Sequence, residues 1–227
     1  VPSLTVENYV KTIYLIASRA PRGHAVATGE LAQALGVSPG TVTGMLKTLS
    51  EAELATYTPY EGANLTAAGE RLAMAVLRRH RLVEQFLVQA LRMPWDEVHE
   101  EAEHLEHAVS ERLIDRIDAF LGYPDADPHG DPIPRRDGSL PERGGEPLAG
   151  LAPGRRFRLI RVVDQEPAFL RYLSECGLDL GTRAEVVENR AESGALVLRA
   201  GERHLAMGRE AAAKVLVEPE GPRGAQE

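Results

Sequence analysis

Apolar positions recur every three or four residues through the first third of the chain, and that spacing predicts helices. Val6, Tyr9, Val10, Ile13, Tyr14 and Ile16 form one such stripe, with Thr5 placed to cap it, and APRGHA at 20–25 ends it. Within TGELAQALGVSPGTVTGMLKTLSEAEL (28–54), a short helix carrying Leu31, Ala32 and Leu35 opens at Thr28 and stops at Gly36. Ser38 caps a second helix, with Pro39 in its first turn and Val42, Met45, Leu46 and Leu49 turned inward. Two short helices joined by Gly-Val-Ser make a helix-turn-helix pattern, whose second helix enters the major groove of DNA. ATYTPYEGANLT then switches to alternation and predicts a two-strand hairpin, a wing, turning near Glu61-Gly62.

Helical spacing returns from Ala67 to Leu91, breaks at Pro94, and resumes through VHEEAEHLEH at 98–107. Ser110 caps a further helix ending at Leu121-Gly122. These helices carry more apolar surface than one winged domain needs, which predicts a homodimer interface. Residues 122–154 are rich in Pro, Gly and Asp and read as an irregular linker. FRLIRVV, AEVVENR, ALVLRAG, RHLAMG and KVLVE then read as short strands, with one helix near 168–175 ended by Gly177. The expected class is mainly α with a small β domain. The expected segments are a winged helix-turn-helix DNA-binding domain (1–66), a helical dimerisation and metal-binding domain (67–122), the linker (123–154), an SH3-like barrel (155–219) and a flexible tail (220–227).

Composition changes this picture little. Hydrophobic residues make up 43% and charged residues 26% of the 227, as in globular domains. No apolar run approaches the roughly 18 residues of a membrane span, and no signal-peptide pattern opens the chain. The single Cys176 forms no internal disulfide and suits a reducing cytosol, so the expected location is cytoplasmic, with no membrane partner. A net charge of −8 argues against a nucleic-acid partner only as a whole-chain sum, which a local basic face escapes.

The chemistry concentrates in VHEEAEHLEH. In a continuous helix, at about 100° per residue, His99, Glu103, Glu106 and His107 fall at i, i+4, i+7 and i+8 on one face. His80 and Glu84 form a second i, i+4 pair on the preceding helix, and antiparallel packing would bring the pairs together as in bundle metal sites. The plain alternative is a pair of solvated faces. With nitrogen and oxygen donors and no thiolate, such a site suits Mn²⁺ or Fe²⁺. A zincin motif fails because Glu103 stands where H-E-x-x-H needs its second histidine. A di-iron bundle needs E-x-x-H twice, and Glu101 with His104 supplies it once. The chain is therefore expected not to be an enzyme; a helical carboxylate/histidine metalloenzyme and a metal-independent winged-helix regulator are the rival readings.

The blocks VENYVKTIYLI, SPGTVTGMLKTL, NLTAAGERLA leading into RRHRLVEQFL, VHEEAEHLEHAVSERL and GDPIP, in this order, resemble the diphtheria toxin repressor family of metal-dependent regulators. The resemblance implies one ligand cluster at His80, Glu84 and His99. It implies another at Glu103, Glu106 and His107, completed by a first-helix residue that falls at Asn8. Glu103 stands where iron-type members carry a cysteine, which resembles the manganese transport regulator branch. Lys11 lies where some manganese sensors place a second carboxylate. Glu7 neighbours Asn8 but faces about 100° away. Gln165 and Glu166 are candidate ligands from the third domain. The implied activity is metal-activated repression of metal-uptake genes by a homodimer on a double-stranded DNA operator, with Mn²⁺ as the ion and Fe²⁺ the alternative. Ser38, Pro39, Thr41, Thr43 and Lys47 line the expected DNA face, and Thr28 meets phosphate at a helix N-terminus. Tyr57 and Tyr60 in the wing either contact the DNA backbone or pack the hairpin.

Overall fold

A computed structural model describes residues 3–21, 23–142, 144–190 and 194–220. The architecture is mainly α with a small antiparallel β domain, the class expected above. Two compact units form: residues 1–80 with 106–109 and 134–140, and residues 81–105 with 110–133 and 141–227.

The first unit opens with α1 (Leu4–Arg19), which buries Tyr9, Val10 and Ile13. Its N-cap is Ser3 rather than Thr5. The Ser3 backbone is extended and its hydroxyl accepts from the Val6 amide at 3.4 Å, whereas Thr5 already lies inside the first turn. Helix α2 (Thr28–Leu35) starts where the Glu30 carboxylate accepts the Ala27 amide at 2.7 Å, and Gly36 ends it in the left-handed region. Helix α3 (Pro39–Glu51) is capped by Ser38, whose hydroxyl accepts the Thr41 amide at 3.1 Å. Val42, Leu46 and Leu49 face inward and join Tyr9, Val10, Ile13 and Leu31 in one core. Each such side chain contributes about 1.5–3 kcal/mol when removed from water.

Strands β1 (Ala55–Thr58) and β2 (Gly62–Leu65) form the predicted hairpin. Val26 and Ala63 exchange backbone hydrogen bonds at 2.9 Å, fastening the wing to the chain before α2. Gly62 is required there: its φ is +113°, and a Cβ would stand 2.7 Å from the Val26 carbonyl oxygen.

Helix α4 (Ala67–Leu91) begins in the first unit and continues into the second. Helix α5 (Val98–Leu105) is shorter than the sequence pattern suggested, because residues 106–108 turn out of the helix. The reason lies just downstream. Ser110 caps α6 (Glu111–Phe120) with its hydroxyl accepting the Leu113 amide at 3.3 Å, and a capping residue must be extended, so the preceding chain leaves the helix first. Glu106 and His107 therefore lose the helical phase assigned to them.

The rest of the second unit is a six-stranded antiparallel sheet. It comprises β3 (Glu146–Pro147), β4 (Arg156–Val162), β5 (Arg183–Arg190), β6 (Ala195–Ala200), β7 (Arg203–Gly208) and β8 (Val215–Glu220), in the order β3-β8-β4-β5-β6-β7. Register shifts at Leu159/Arg161 and Val186/Glu188 bend strands, as bulges do, over a core built on Phe157, Leu159, Leu173, Val186 and Leu198. Helix α7 (Pro167–Cys176) is the predicted helix, stopped by Gly177 in the left-handed region; α8 (Arg209–Ala213) carries no strong periodic signal and was not expected. The expected tail (220–227) lies outside the described residues apart from Glu220, which ends β8.

Candidate metal centres and nucleic-acid face

The turn after α5 sends Glu106 into the first unit, where its carboxylate is fully buried. Its Oε1 receives the Lys11 ammonium at 2.6 Å and lies 3.1 Å from His107 Nε2; its Oε2 receives His80 Nδ1 at 2.6 Å. Burial alone would raise the Glu106 carboxyl, but the His80 hydrogen bond and the charges of His80 and Lys11 outweigh it and hold the group below the ordinary glutamate value. Beside it, the buried Glu7 carboxylate meets the Arg79 guanidinium at 2.8 Å and His107 Nδ1 at 2.8 Å. Glu7, which helical phase set aside, is thus the first-helix carboxylate at His107. Asn8 is half-buried, and its main-chain carbonyl accepts the Thr12 hydroxyl at 2.8 Å.

In the second unit Glu84 is the hub. It is 1% exposed, and its Oε1 is 3.1 Å from His99 Nδ1. His99 in turn lies 3.8 Å from Glu103, one turn on along α5, and both of these side chains are half-exposed. His80 stands one turn before Glu84 on α4. The other side of Glu84 faces two residues absent from the sequence-based site, Asp127 and His129. Among the described residues, Glu84, Asp127 and His129 bring one ligand atom each within 4.8 Å of one another, and all three are buried.

Local geometry fixes what these groups offer. His129 Nε2 lies 2.8 Å from the Trp95 carbonyl oxygen, which only accepts, so Nε2 carries the proton. In the neutral ring Nδ1 then presents a lone pair; it is fully buried without a hydrogen-bond partner and stands 3.9 Å from Glu84 Oε2. Asp127 Oδ1 accepts the amides of His129 at 2.8 Å and Asp131 at 2.9 Å, while its Oδ2 is 3.6 Å from Arg81. Burial first, then the negative charges of Glu84 and Asp131, push the Asp127 carboxyl well above its usual range, and Arg81 only partly opposes this. A bare imidazole nitrogen facing two buried carboxylates suits a cation. Gly130 makes the loop possible: its φ is +89°, and a Cβ would lie 2.2 Å from the Ile160 carbonyl oxygen.

The surrounding contacts hold this loop in place. Arg81 donates to the Pro132 carbonyl at 2.6 Å, Arg161 pairs with Asp131 at 2.5 Å, and Gln165 Nε2 donates to Asp131 at 3.0 Å. Of the two candidate ligands from the third domain, Gln165 is thus bonded to Asp131, and Glu166 is exposed at the start of α7. Trp95 stacks on the His129 ring at 6.0 Å between centroids, and its indole N–H donates to the Ser174 hydroxyl at 2.9 Å. Asp127 and His129 were hidden in a stretch read as linker. The available signal was a histidine two residues from an aspartate inside Pro-Gly punctuation.

The DNA-type face lies in the first unit. Ser38, Pro39, Thr41 and Lys47 on α3 are exposed, and Thr43 and Thr28 are half-buried. Thr28, Thr43, Lys47, Tyr57 and Tyr60 line an open groove of about 570 Å³ between α3 and the wing. The two tyrosines separate here. Tyr57 packs against the core, whereas Tyr60 is fully exposed at the wing tip with a positive φ of 69°.

Residues 3–63 match the family described as "Iron dependent repressor, N-terminal DNA binding domain", residues 66–135 its "metal binding and dimerisation domain", and residues 146–219 the FeoA domain. The chain is 34% identical to the iron-dependent repressor IdeR of Mycobacterium tuberculosis over 193 residues, 82% of this chain and 81% of that protein. It is 32% identical to the HTH-type transcriptional regulator MntR of Geobacillus kaustophilus over 54% of this chain and 84% of that one. A solved manganese-dependent transcriptional repressor in complex with manganese covers 93% of this chain and 98% of its own, at 38% identity and a TM-score of 0.82. No helix among the described residues is long and apolar enough to cross a membrane. The helix-turn-helix and wing, the buried histidine–carboxylate sets and these matches agree: the chain belongs to the iron-dependent repressor family of metal-dependent, DNA-binding transcriptional regulators and is not an enzyme.

Proposed function

We propose that the chain is a homodimeric repressor of metal-uptake genes, activated by Mn²⁺, with Fe²⁺ the alternative ion. The observation that carries this reading is the buried Nδ1 of His129, unpartnered and facing Glu84 and Asp127. Glu84, Asp127 and His129 would hold the ion, with His99 and His80 as the further imidazoles around Glu84 and Glu103 beside His99. An ion bound there would supply the positive charge that the crowded carboxylates lack. Oxygen and nitrogen donors without thiolate favour Mn²⁺ or Fe²⁺ over a structural zinc site. Arg81 and Arg161 position the loop through Asp127, Asp131 and the Pro132 carbonyl, so that the donors converge.

The DNA-reading residues are Ser38, Pro39, Thr41, Thr43 and Lys47 on α3, with Thr28 at the start of α2 on phosphate. Leu113 and Phe120 on α6 are 47% and 68% exposed, an apolar face suited to a second copy. A dimer of this kind would set two recognition helices one DNA turn apart, roughly 34 Å. The test is a gel shift on duplex operator DNA with chelator, then with Mn²⁺, Fe²⁺ or Zn²⁺ restored. Loss of the shifted band in chelator and its return with Mn²⁺ are expected; a band indifferent to chelator overturns metal activation.

A further inference from the structure

The family resemblance places a second ion among Asn8, Glu103, Glu106 and His107, and the charges around Glu106 argue against it in this chain. Two acids, Glu7 and Glu106, face two permanent cations, Lys11 and Arg79. Among the described residues these four permanent charges cancel. With His80 and His107 counted, the six side chains are buried or largely so: the most exposed, that of Arg79, is 14% accessible. Every carboxylate oxygen is also engaged. Glu106 Oε1 meets Lys11 and His107, Glu106 Oε2 meets His80, Glu7 Oε1 meets Arg79, and Glu7 Oε2 meets His107. A divalent ion added here would leave two uncompensated positive charges away from water, or would have to expel Lys11.

We propose that the Lys11 ammonium is the resident cation of this cluster, a tethered charge that joins α1 to the 106–107 turn in place of a metal ion. The joint is permanent. Control by metal then rests with the ligands around Glu84, and this assignment alone depends on the function proposed above. The residue that makes the difference is Lys11, because a carboxylate at that position would turn the same cluster strongly negative.

The experiment counts Mn²⁺ per chain in the full-length protein by equilibrium dialysis, for wild type, Lys11→Arg and Lys11→Ala. Lys11→Arg is expected to match wild type, and Lys11→Ala to bind one more ion per chain. An unchanged count in a folded Lys11→Ala overturns the proposal. Two measurements on wild type need no variant. Amide exchange of residues 4–19 is expected to be equally slow in chelator and in Mn²⁺, and protection that appears only with Mn²⁺ overturns the proposal. An anomalous manganese peak in coordination range of Glu106 overturns it as well. If wild type binds no ion while Lys11→Ala gains one, the regulator reading fails and the tether stands.

Discussion

Two clusters of buried acids and imidazoles, one in each unit, are built from the same residue types. Around Glu106, the acids Glu7 and Glu106 meet Lys11 and Arg79, and the permanent charges cancel. Around Glu84, the acids Glu84, Asp127 and Asp131 stand with the guanidinium groups of Arg81 and Arg161, so that among these described groups acids outnumber permanent cations by one, beside a bare imidazole nitrogen. The residue inventory of a helix therefore does not reveal whether it binds metal. On the two proposals above the charge sum of the folded cluster decides it, and that sum depends on partners distant in sequence: Glu106 lies 95 residues from Lys11, and Asp131 lies 50 from Arg81.

The sharpest way to break the contrast is Glu106→Gln. It strands the Lys11 charge in the interior and is expected to cost about 3–5 kcal/mol of folding stability, read by urea denaturation in chelator, without changing the Mn²⁺ count. A variant of wild-type stability would show that the cluster is not a closed ion network. Next in size is Glu84→Gln, which removes the hub of the other cluster. Calorimetry should show Mn²⁺ affinity falling by about 100-fold, the upper range for disturbing a metal shell, and the operator band should no longer respond to metal.

Asp127→Asn is expected to act in two directions at once. The amide keeps an oxygen for the His129 and Asp131 amides but carries no charge, so the metal-free protein should gain on the order of 1 kcal/mol while Mn²⁺ binding weakens. The pH dependence follows from the sign of each shift. Asp127 is raised in the fold by burial and by its acidic neighbours, so its contribution to metal-free stability is present at low pH and is lost as pH rises through the raised value. Glu106 is lowered, its favourable contacts outweighing burial, so its contribution is present above the ordinary glutamate value and is lost as pH falls through the lowered one. Thermal melts in chelator should show the first slope vanish in Asp127→Asn and persist in Lys11→Arg. The smallest effect serves as a control outside both clusters. Tyr60→Ala at the wing tip should weaken operator binding by about 0.5–1.5 kcal/mol, one hydrogen bond's worth, with Mn²⁺ binding untouched.

Much of this architecture is legible along the chain because local rules decide it. The Ser38 cap with Pro39 behind it, the 67–91 stripe, the hairpin at Gly62 and the five principal strands all stand where periodicity and turn chemistry put them. The sites are less legible. VHEEAEHLEH holds no Gly or Pro, so its helix reads through His107; the structure ends it at Leu105, for the sake of the Ser110 cap, and so hands Glu106 and His107 to the first unit. That one turn moves two candidate ligands from the α5 face to Lys11 and Glu7. Asp127 and His129 escaped for the opposite reason: a Pro-Gly loop has no period, and only packing against α4 and Trp95 reveals its donors.

Trp95 has a practical consequence, for it is the only tryptophan in the chain and its ring runs nearly parallel to that of His129, 6.0 Å away between centroids. Its emission reports from beside the proposed ion, unmixed with any other indole. Mn²⁺, a paramagnetic quencher, should dim it on loading, and a diamagnetic ion in the same place should shift its wavelength instead. The protein thus carries an optical gauge of its own occupancy, usable without a label.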